Sequence, residues 1–255
     1  MTRTPLVVKL LLVLLASVSR LGAQVHAHAG DSVEQIGRVH FATSCADRVA
    51  PSFDRAVALL HSFEFGAAIA GFNDVLATDS TCAMAYWGIA MSRWSNPLAA
   101  GNRPTAALET GRKAADAAAR LESHASARER GYIDAVRELY ADYEHRDQRA
   151  RVVAYERAMA TLAAAQPADT EAQIFHALSL VASASPTDKS YASQRAAGAI
   201  LEELWAKQPD HPGLAHYIIH AYDVPALAPL ARRAAERYAR IAPSAAHALH
   251  MPSHI

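Results

Sequence analysis

The C-terminal third of the chain repeats itself after 34 residues. Pro209 aligns with Pro243, and the offset of 243 − 209 = 34 also places His216 on His250. A fixed period of this length indicates a repeat protein. Each unit is then one small group of helices that buries its apolar face only against its neighbours, so the whole chain folds as a stack.

A period of 34 residues, with small residues where helices cross and a proline at the end of the unit, is typical of the tetratricopeptide repeat. Under the same offset Ala197 falls on Ala231. Upstream, Ala68, Phe72 and Ser80 have the spacing of the small, aromatic and end-of-repeat positions, with serine in place of proline. The chain therefore resembles the tetratricopeptide repeat (TPR) family. This resemblance implies an all-α fold, a right-handed solenoid of stacked antiparallel helix pairs.

Composition and helix signals agree with an all-α fold. Alanine-rich runs such as residues 113–121 favour helices, and clusters of β-branched residues are scarce. The pattern predicts ten helices between Asp47 and Ile241, and an eleventh that starts at Ala245. Because the chain ends in mid-repeat, we expect residues 45–255 to be a TPR-like repeat domain that is truncated at its C-terminus.

The first residues have the order of a secretory signal peptide. Arg3 and Lys9 precede the apolar run at 10–18, and small residues follow it. The sequence predicts cleavage after Ala23, a flexible segment at 24–44, and a periplasmic or secreted protein. An uncleaved anchor is the alternative, although so short an apolar run does not span a bilayer.

Export determines the expected state of the two cysteines. Cys45 and Cys82 are the two cysteines of the chain, and in an oxidising compartment they are expected to form a disulfide. Two separate buried thiols are the alternative. No second thiol lies close to either cysteine, so zinc ligation by cysteine is not expected.

The family resemblance also implies a groove that binds a partner, because the first helix of each TPR pair lines the concave face. Met84, Trp87, Met91 and Trp94 are separated by three, four and three residues and therefore share one helical face. With His61 at the mouth of the groove, they are predicted to contact a peptide or protein segment. The alternative is that this stripe is part of the core.

Histidines are concentrated at the C-terminal end. His216 and His220 are spaced i and i+4, as are His250 and His254, and the 34-residue offset superposes the two pairs. On adjacent helices the four rings can meet, and neutral imidazoles suit a divalent transition metal such as Zn²⁺, Cu²⁺ or Ni²⁺. His247 is the predicted substitute if the proline at 252 bends the chain. The alternative is that these histidines make structural hydrogen bonds between repeats.

Charge and motifs narrow the functional classes. Basic and acidic residues are equal in number, 25 each, so the basic surface typical of nucleic-acid binding is not indicated. The sequence contains no G-x-S-x-G, no H-E-x-x-H and no phosphate-binding glycine loop, and no catalytic residue is predicted. We therefore expect an exported scaffold that binds a peptide or protein segment, with a metal at its histidines. A metal-dependent hydrolase or oxidase that uses those histidines is the alternative.

Overall fold

The computed structural model describes residues 34–99 and 101–255, and the predicted signal peptide at 1–23 lies outside them. These residues form helices and turns, with no β-strand among them. None of the helices in this part of the chain has the length and apolar character that crossing a membrane requires. The α-helices of the described residues are α1 (Ala50–His61), α2 (Phe65–Thr78), α3 (Ala83–Trp94), α4 (Thr105–Arg120), α5 (Ala127–Glu138), α6 (Gln148–Ala165), α7 (Thr170–Ser183), α8 (Ala192–Lys207), α9 (Pro212–Tyr222), α10 (Ala228–Ile241) and α11 (Ala246–His250).

Each helix packs against the next one along the chain, as a stack of helix pairs requires. The odd-numbered helices also contact one another, with α1 on α3, α3 on α5 and α7 on α9, so they form an inner layer. The repeat period is preserved, because α9 begins at Pro212 and α11 at Ala246, and 246 − 212 = 34. The all-α stack of antiparallel helix pairs predicted from the sequence is confirmed.

Local signals explain where several helices begin. The Ser126 side chain accepts a hydrogen bond from the N–H of Glu129, and the Glu129 carboxylate accepts one from the N–H of Ser126, at 2.6 Å. This reciprocal pair fixes the start of α5. Asp169 accepts N–H groups at the start of α7, and Pro212 occupies the first turn of α9, where its missing N–H costs nothing.

Glycines allow neighbouring helices to approach closely. A Cβ atom added to Gly88 of α3 would lie 2.3 Å from the ring of Phe72 of α2. A Cβ atom added to Gly111 of α4 would lie 2.3 Å from the ring of Tyr140. These aromatic rings fill the space that a larger residue would occupy, so helix spacing depends on the two glycines.

The inner layer closes on itself, because α1 packs on α9 as well as on α2 and α3. The ring of His61 in α1 lies 4.9 Å from that of Phe175 in α7 and 5.5 Å from that of Tyr217 in α9, between ring centres. Trp87 of α3 meets the same Phe175 at 5.4 Å. Aromatic side chains therefore fill the middle of the stack.

Residues 34–44 run extended along the ends of the repeats. The N–H of Arg38 donates to the Asp210 carbonyl at 2.9 Å, and the N–H of Ser244 donates to the Gln35 carbonyl at 3.0 Å. Two apolar side chains of the segment are buried in the core. The sequence predicted a flexible segment at 24–44; its residues 34–44 make these hydrogen bonds and contacts, and its residues 24–33 lie outside the described part of the chain.

The predicted disulfide is present. Cys45 and Cys82 are joined with an S–S distance of 2.01 Å, which ties the chain before α1 to the start of α3. Beside it the Asp79 carboxylate accepts the N–H of Ala46 at 2.8 Å. The covalent bond and this hydrogen bond anchor the same two segments to each other.

Candidate metal centre

The side chains predicted to line a groove are buried. His61 is fully buried, and the other four are at most 8% exposed: Met84, Trp87, Met91 and Trp94. Met91 and Trp94 border an internal cavity of about 20 Å³, which is too small for a peptide side chain. In this structure these side chains belong to the core, as the alternative had it, because the inner helices pack directly on one another, and partner binding by them stays a prediction.

His216 lies at the centre of the C-terminal histidines. Its Nδ1 atom lies 2.6 Å from the carbonyl oxygen of His61, at the end of α1. A carbonyl oxygen only accepts hydrogen bonds, so Nδ1 carries the hydrogen and Nε2 presents a lone pair. That Nε2 atom lies 3.0 Å from Nε2 of His247.

His220 completes what we call the inner histidine cluster, formed by His216, His220 and His247. One ligating atom from each of the three residues lies within 4.8 Å of the others. The Nε2 atom of His220 is buried and has no hydrogen-bond partner among the described residues. A buried polar atom without a partner destabilises a fold, and a bound metal ion would give this nitrogen one.

Burial keeps the inner cluster neutral. It holds the pKa of His216 well below its ordinary value, and the neighbouring imidazoles of His220 and His247 lower it further. Burial, followed by the charges of nearby histidines, lowers the pKa of His220 to about 3. The pKa of His247 is lowered as well, mainly by burial. At neutral pH the three rings are therefore unprotonated, which is the state in which imidazole binds a metal.

Phe63 holds the three rings in place. Its ring centre lies 4.4 Å from that of His216, 5.6 Å from that of His220 and 5.2 Å from that of His247. Phe63 has a φ of +57°, which is rare for a bulky residue and costs about 1–3 kcal/mol. Tyr238 stacks on His216 at 5.0 Å between ring centres. These aromatic contacts restrict how the His216 ring can turn.

His250 and His254 form an outer histidine pair rather than part of the inner cluster. Their Nε2 atoms lie 3.1 Å apart, and Nδ1 of His254 lies 2.7 Å from a carboxylate oxygen of Asp223. Both histidines are exposed. This contact with the Asp223 carboxylate fixes the orientation of the His254 ring.

The predicted set of four converging histidines needs a correction. The α-helix ends at His250 and a 3₁₀ turn follows, because the proline at 252 lies in that turn. His247 lies one turn before His250 on α11 and faces His216, with their Nε2 atoms 3.0 Å apart. The structure therefore brings the predicted substitute to the cluster, whereas His250, predicted as a ligand, lies outside it although it still belongs to α11.

A second titratable group, the buried His–Glu–His group, consists of His61, Glu171 and His211. The Nε2 atom of His61 lies 2.9 Å from one carboxylate oxygen of Glu171, and Nε2 of His211 lies 2.9 Å from the other. The Nδ1 atom of His61 lies 3.0 Å from the hydroxyl oxygen of Tyr217. Sequence analysis did not find this group, because its members are 110 and 40 residues apart. The one local signal was an acid in the first turn of α7.

Burial and hydrogen bonding act on Glu171 in opposite directions. Burial alone would raise the pKa of Glu171, but the imidazoles of His61 and His211 outweigh it and hold that pKa well below its ordinary value. Burial lowers the pKa of His61, and the Glu171 carboxylate opposes that change. The carboxylate is therefore ionised at neutral pH.

A cleft of about 1090 Å³ opens beside the buried His–Glu–His group. One wall is the extended segment at 34–42, and Glu171 and His211 belong to the lining. Arg128 and Asp169 also line the cleft and form an ion pair at 2.6 Å. This cleft, unlike the filled inner side of the stack, has room for a ligand.

Comparisons with known proteins give one similarity. No protein-family model matches the chain, and no curated protein matches it in sequence. Among solved structures, the crystal structure of YrrB, described as a TPR protein with an unusual peptide-binding site, aligns with 80% of this chain and 92% of its own. The two are 15% identical, and the TM-score is 0.39.

Proposed function

We propose that this protein is an exported helical-repeat scaffold that binds a divalent transition metal through the inner histidine cluster. The observation that supports this most is the convergence of one nitrogen each from His216, His220 and His247 within 4.8 Å. All three rings are neutral at neutral pH because burial lowers their pKa values. A neutral imidazole needs to lose no proton before it binds a metal ion.

The bond between His216 and His61 supports the same proposal. Histidines that bind metals almost always donate their second ring N–H to a carbonyl or carboxylate, which fixes the tautomer and the ring orientation. The Nδ1 atom of His216 makes such a bond to the His61 carbonyl. Nε2 is therefore the atom that would bind the ion.

Zn²⁺ is the ion that fits this donor set best, because three imidazoles and one further ligand complete a tetrahedral shell. Cu²⁺ and Ni²⁺ also accept imidazole nitrogen. The outer histidine pair lies next to the cluster, and the ring centre of His250 is 6.0 Å from that of His247. Water or one of these exposed rings would complete the shell.

The helical stack would hold this site rigidly and could present other surfaces to a peptide or protein segment. The filled inner side leaves such a partner only the outer surfaces and the cleft beside residues 34–42. Export remains part of the proposal, and the Cys45–Cys82 disulfide supports it because such bonds persist in oxidising compartments.

The test is Zn²⁺ titration by calorimetry on the full, disulfide-bonded chain after treatment with a chelator. We expect the double variant His216→Ala/His247→Ala to bind one Zn²⁺ fewer than the parent chain. A matched control replaces two histidines outside the cluster, His124→Ala/His145→Ala, and should bind as the parent does. Equal stoichiometry and affinity in the parent and in the first double variant would contradict the proposal.

A further inference from the structure

The buried His–Glu–His group has the donor set of a metal site. His61 comes from α1, Glu171 from α7, and His211 immediately precedes α9. One ligating atom from each lies within 4.8 Å of the others, and the three residues are at most 3% exposed. Two imidazoles and one carboxylate are the protein ligands of a common class of zinc centre, which leaves one position open.

Glu171 brings a negative charge into the buried His–Glu–His group. In the part of the chain that the structure describes, the Glu171 carboxylate is bonded by two imidazoles and by no lysine or arginine. When both imidazoles are neutral, this buried anion has no cation beside it, which is costly because the surrounding protein solvates it far less well than water does. A divalent cation between the three side chains would supply the missing positive charge.

The outer nitrogens of the two imidazoles have different surroundings. The Nδ1 atom of His211 is buried and has no partner among the described residues. The Nδ1 atom of His61 faces the Tyr217 hydroxyl, which can either donate or accept a hydrogen bond. His61 can therefore keep its hydrogen on Nδ1, donate it to Tyr217, and present Nε2 to an ion.

Packing holds the rings in position before any ion binds. A Cβ atom added to Gly213 would lie 2.6 Å from Nδ1 of His61 and 3.2 Å from Cε1 of His211, so both rings rest against the backbone of α9. Phe175 stacks on the other side of His61, with ring centres 4.9 Å apart. Ligands that packing fixes in this way need little reorganisation on binding.

The cleft of about 1090 Å³ gives this group a route to solvent, because Glu171 and His211 belong to its lining. We propose that His61, Glu171 and His211 form a second site, which binds Zn²⁺ or an ion of similar coordination preference and leaves one coordination position towards the cleft. This site is separate from the inner histidine cluster and does not depend on the function proposed above.

The test uses the full chain with the inner cluster already removed, the His216→Ala/His247→Ala background. We expect this background to bind one Zn²⁺, and Co²⁺ in its place to give the visible absorption of a low-symmetry site with nitrogen and oxygen ligands. Adding Glu171→Gln or His211→Ala should abolish both signals. Adding His176→Ala, on the same helix as Glu171, should leave both unchanged.

Two outcomes would overturn the proposal. In the first, the background variant folds, as judged by far-ultraviolet circular dichroism, but binds no Zn²⁺. The three side chains would then be held together by hydrogen bonds alone. Zn²⁺ that stays bound after Glu171→Gln and after His211→Ala would place the ion elsewhere. The Zn²⁺ ion expected at the inner histidine cluster is measured separately, by comparing the parent chain with the His216→Ala/His247→Ala background. Failure of one site is therefore distinguishable from failure of the other.

Discussion

The Nδ1 atom of His216 lies 2.6 Å from the carbonyl oxygen of His61, a residue 155 positions earlier in the chain. This bond joins the two candidate metal groups. The backbone of His61 fixes the tautomer of His216, while the side chain of His61 belongs to the buried His–Glu–His group. The two groups share no side chain, but one residue of α1 contributes its backbone to one and its ring to the other.

We expect the Zn²⁺ affinity of the inner histidine cluster to persist as the pH falls through the ordinary histidine pKa of about 6.5. Burial lowers the pKa values of His216 and His220, so protons compete with the metal only at lower pH. Calorimetry at about pH 7.5, 6.5 and 5.5 on the background Glu171→Gln measures the cluster alone. A fall in affinity of about tenfold per pH unit already near pH 6.5 would contradict this expectation.

The sequence predicted features that depend on local spacing. The 34-residue period identified the helix pairs, because a repeat boundary is set by short-range turn and capping residues. The i and i+4 spacing placed His216 and His220 on one face of a helix. The proline at 252 also indicated a bend, since a proline disturbs the helix in which it lies. That bend does not explain the exchange of His250 for His247, because both residues lie in α11 before it.

The closure of the stack was beyond sequence reasoning. Curvature in a repeat protein is the sum of small rotations between successive pairs, and no single residue pattern records that sum. A Met and Trp stripe has the same spacing whether it faces an open groove or a filled centre. His61 and Glu171 are likewise 110 residues apart and meet only through the packing of distant helices. No local sequence motif therefore predicts the buried His–Glu–His group.

Glycine in α3 is expected to be essential to helix packing. Gly88→Ala places a Cβ atom 2.3 Å from the Phe72 ring, which must move within a close-packed core. We expect the free energy of unfolding to fall by about 1–3 kcal/mol in urea titrations. Gly66→Ala in α2 is the control, because nothing lies within 4 Å of its added Cβ atom. That variant should be more stable than the parent by about 0.5–1 kcal/mol. A similar loss of unfolding free energy in both variants would exclude the packing explanation.

Glu129 should stabilise the protein in a pH-dependent way. Burial alone would raise its pKa, but hydrogen bonds from Ser44 and Ser126 outweigh burial and lower it. A lowered folded-state pKa means that this stabilisation is complete above the unfolded-state pKa of about 4.3 and is lost as the pH falls below it. Glu129→Gln should lower the free energy of unfolding by about 2 kcal/mol at pH 7.

Urea unfolding at pH 7 and at about pH 3 measures both values for this variant. The difference between the parent and Glu129→Gln should shrink at the lower pH, because the parent carboxyl is then protonated in the unfolded chain. Glu109→Gln, at an exposed position in α4, is the control and should change stability little at either pH. A difference that stays constant with pH would show that the charge of Glu129 is not involved.

Reduction of the disulfide should destabilise the N-terminal repeats. Cys45 and Cys82 are 37 positions apart, and opening a loop of that length costs about 4 kcal/mol in the chain-entropy model. Thermal unfolding with and without a thiol reductant measures this loss. The variant Cys45→Ser/Cys82→Ser is the control, because its midpoint should be low and should not respond to the reductant. A parent chain whose midpoint is the same in both conditions would contradict the prediction.

The contacts between α1 and α9, and the hydrogen bonds of residues 34–44, change how the chain reaches its fold. An open solenoid can begin folding at any repeat and grow by adding neighbours, while its end repeats fray. Here the N–H of Gln35 donates a hydrogen bond to the Ser244 hydroxyl, 209 positions away, so two distant segments of the described chain hold each other in place. Contacts of such long range slow folding relative to an open stack of equal length. The segment before α1 and the turn after α10 must therefore meet before their hydrogen bonds can form.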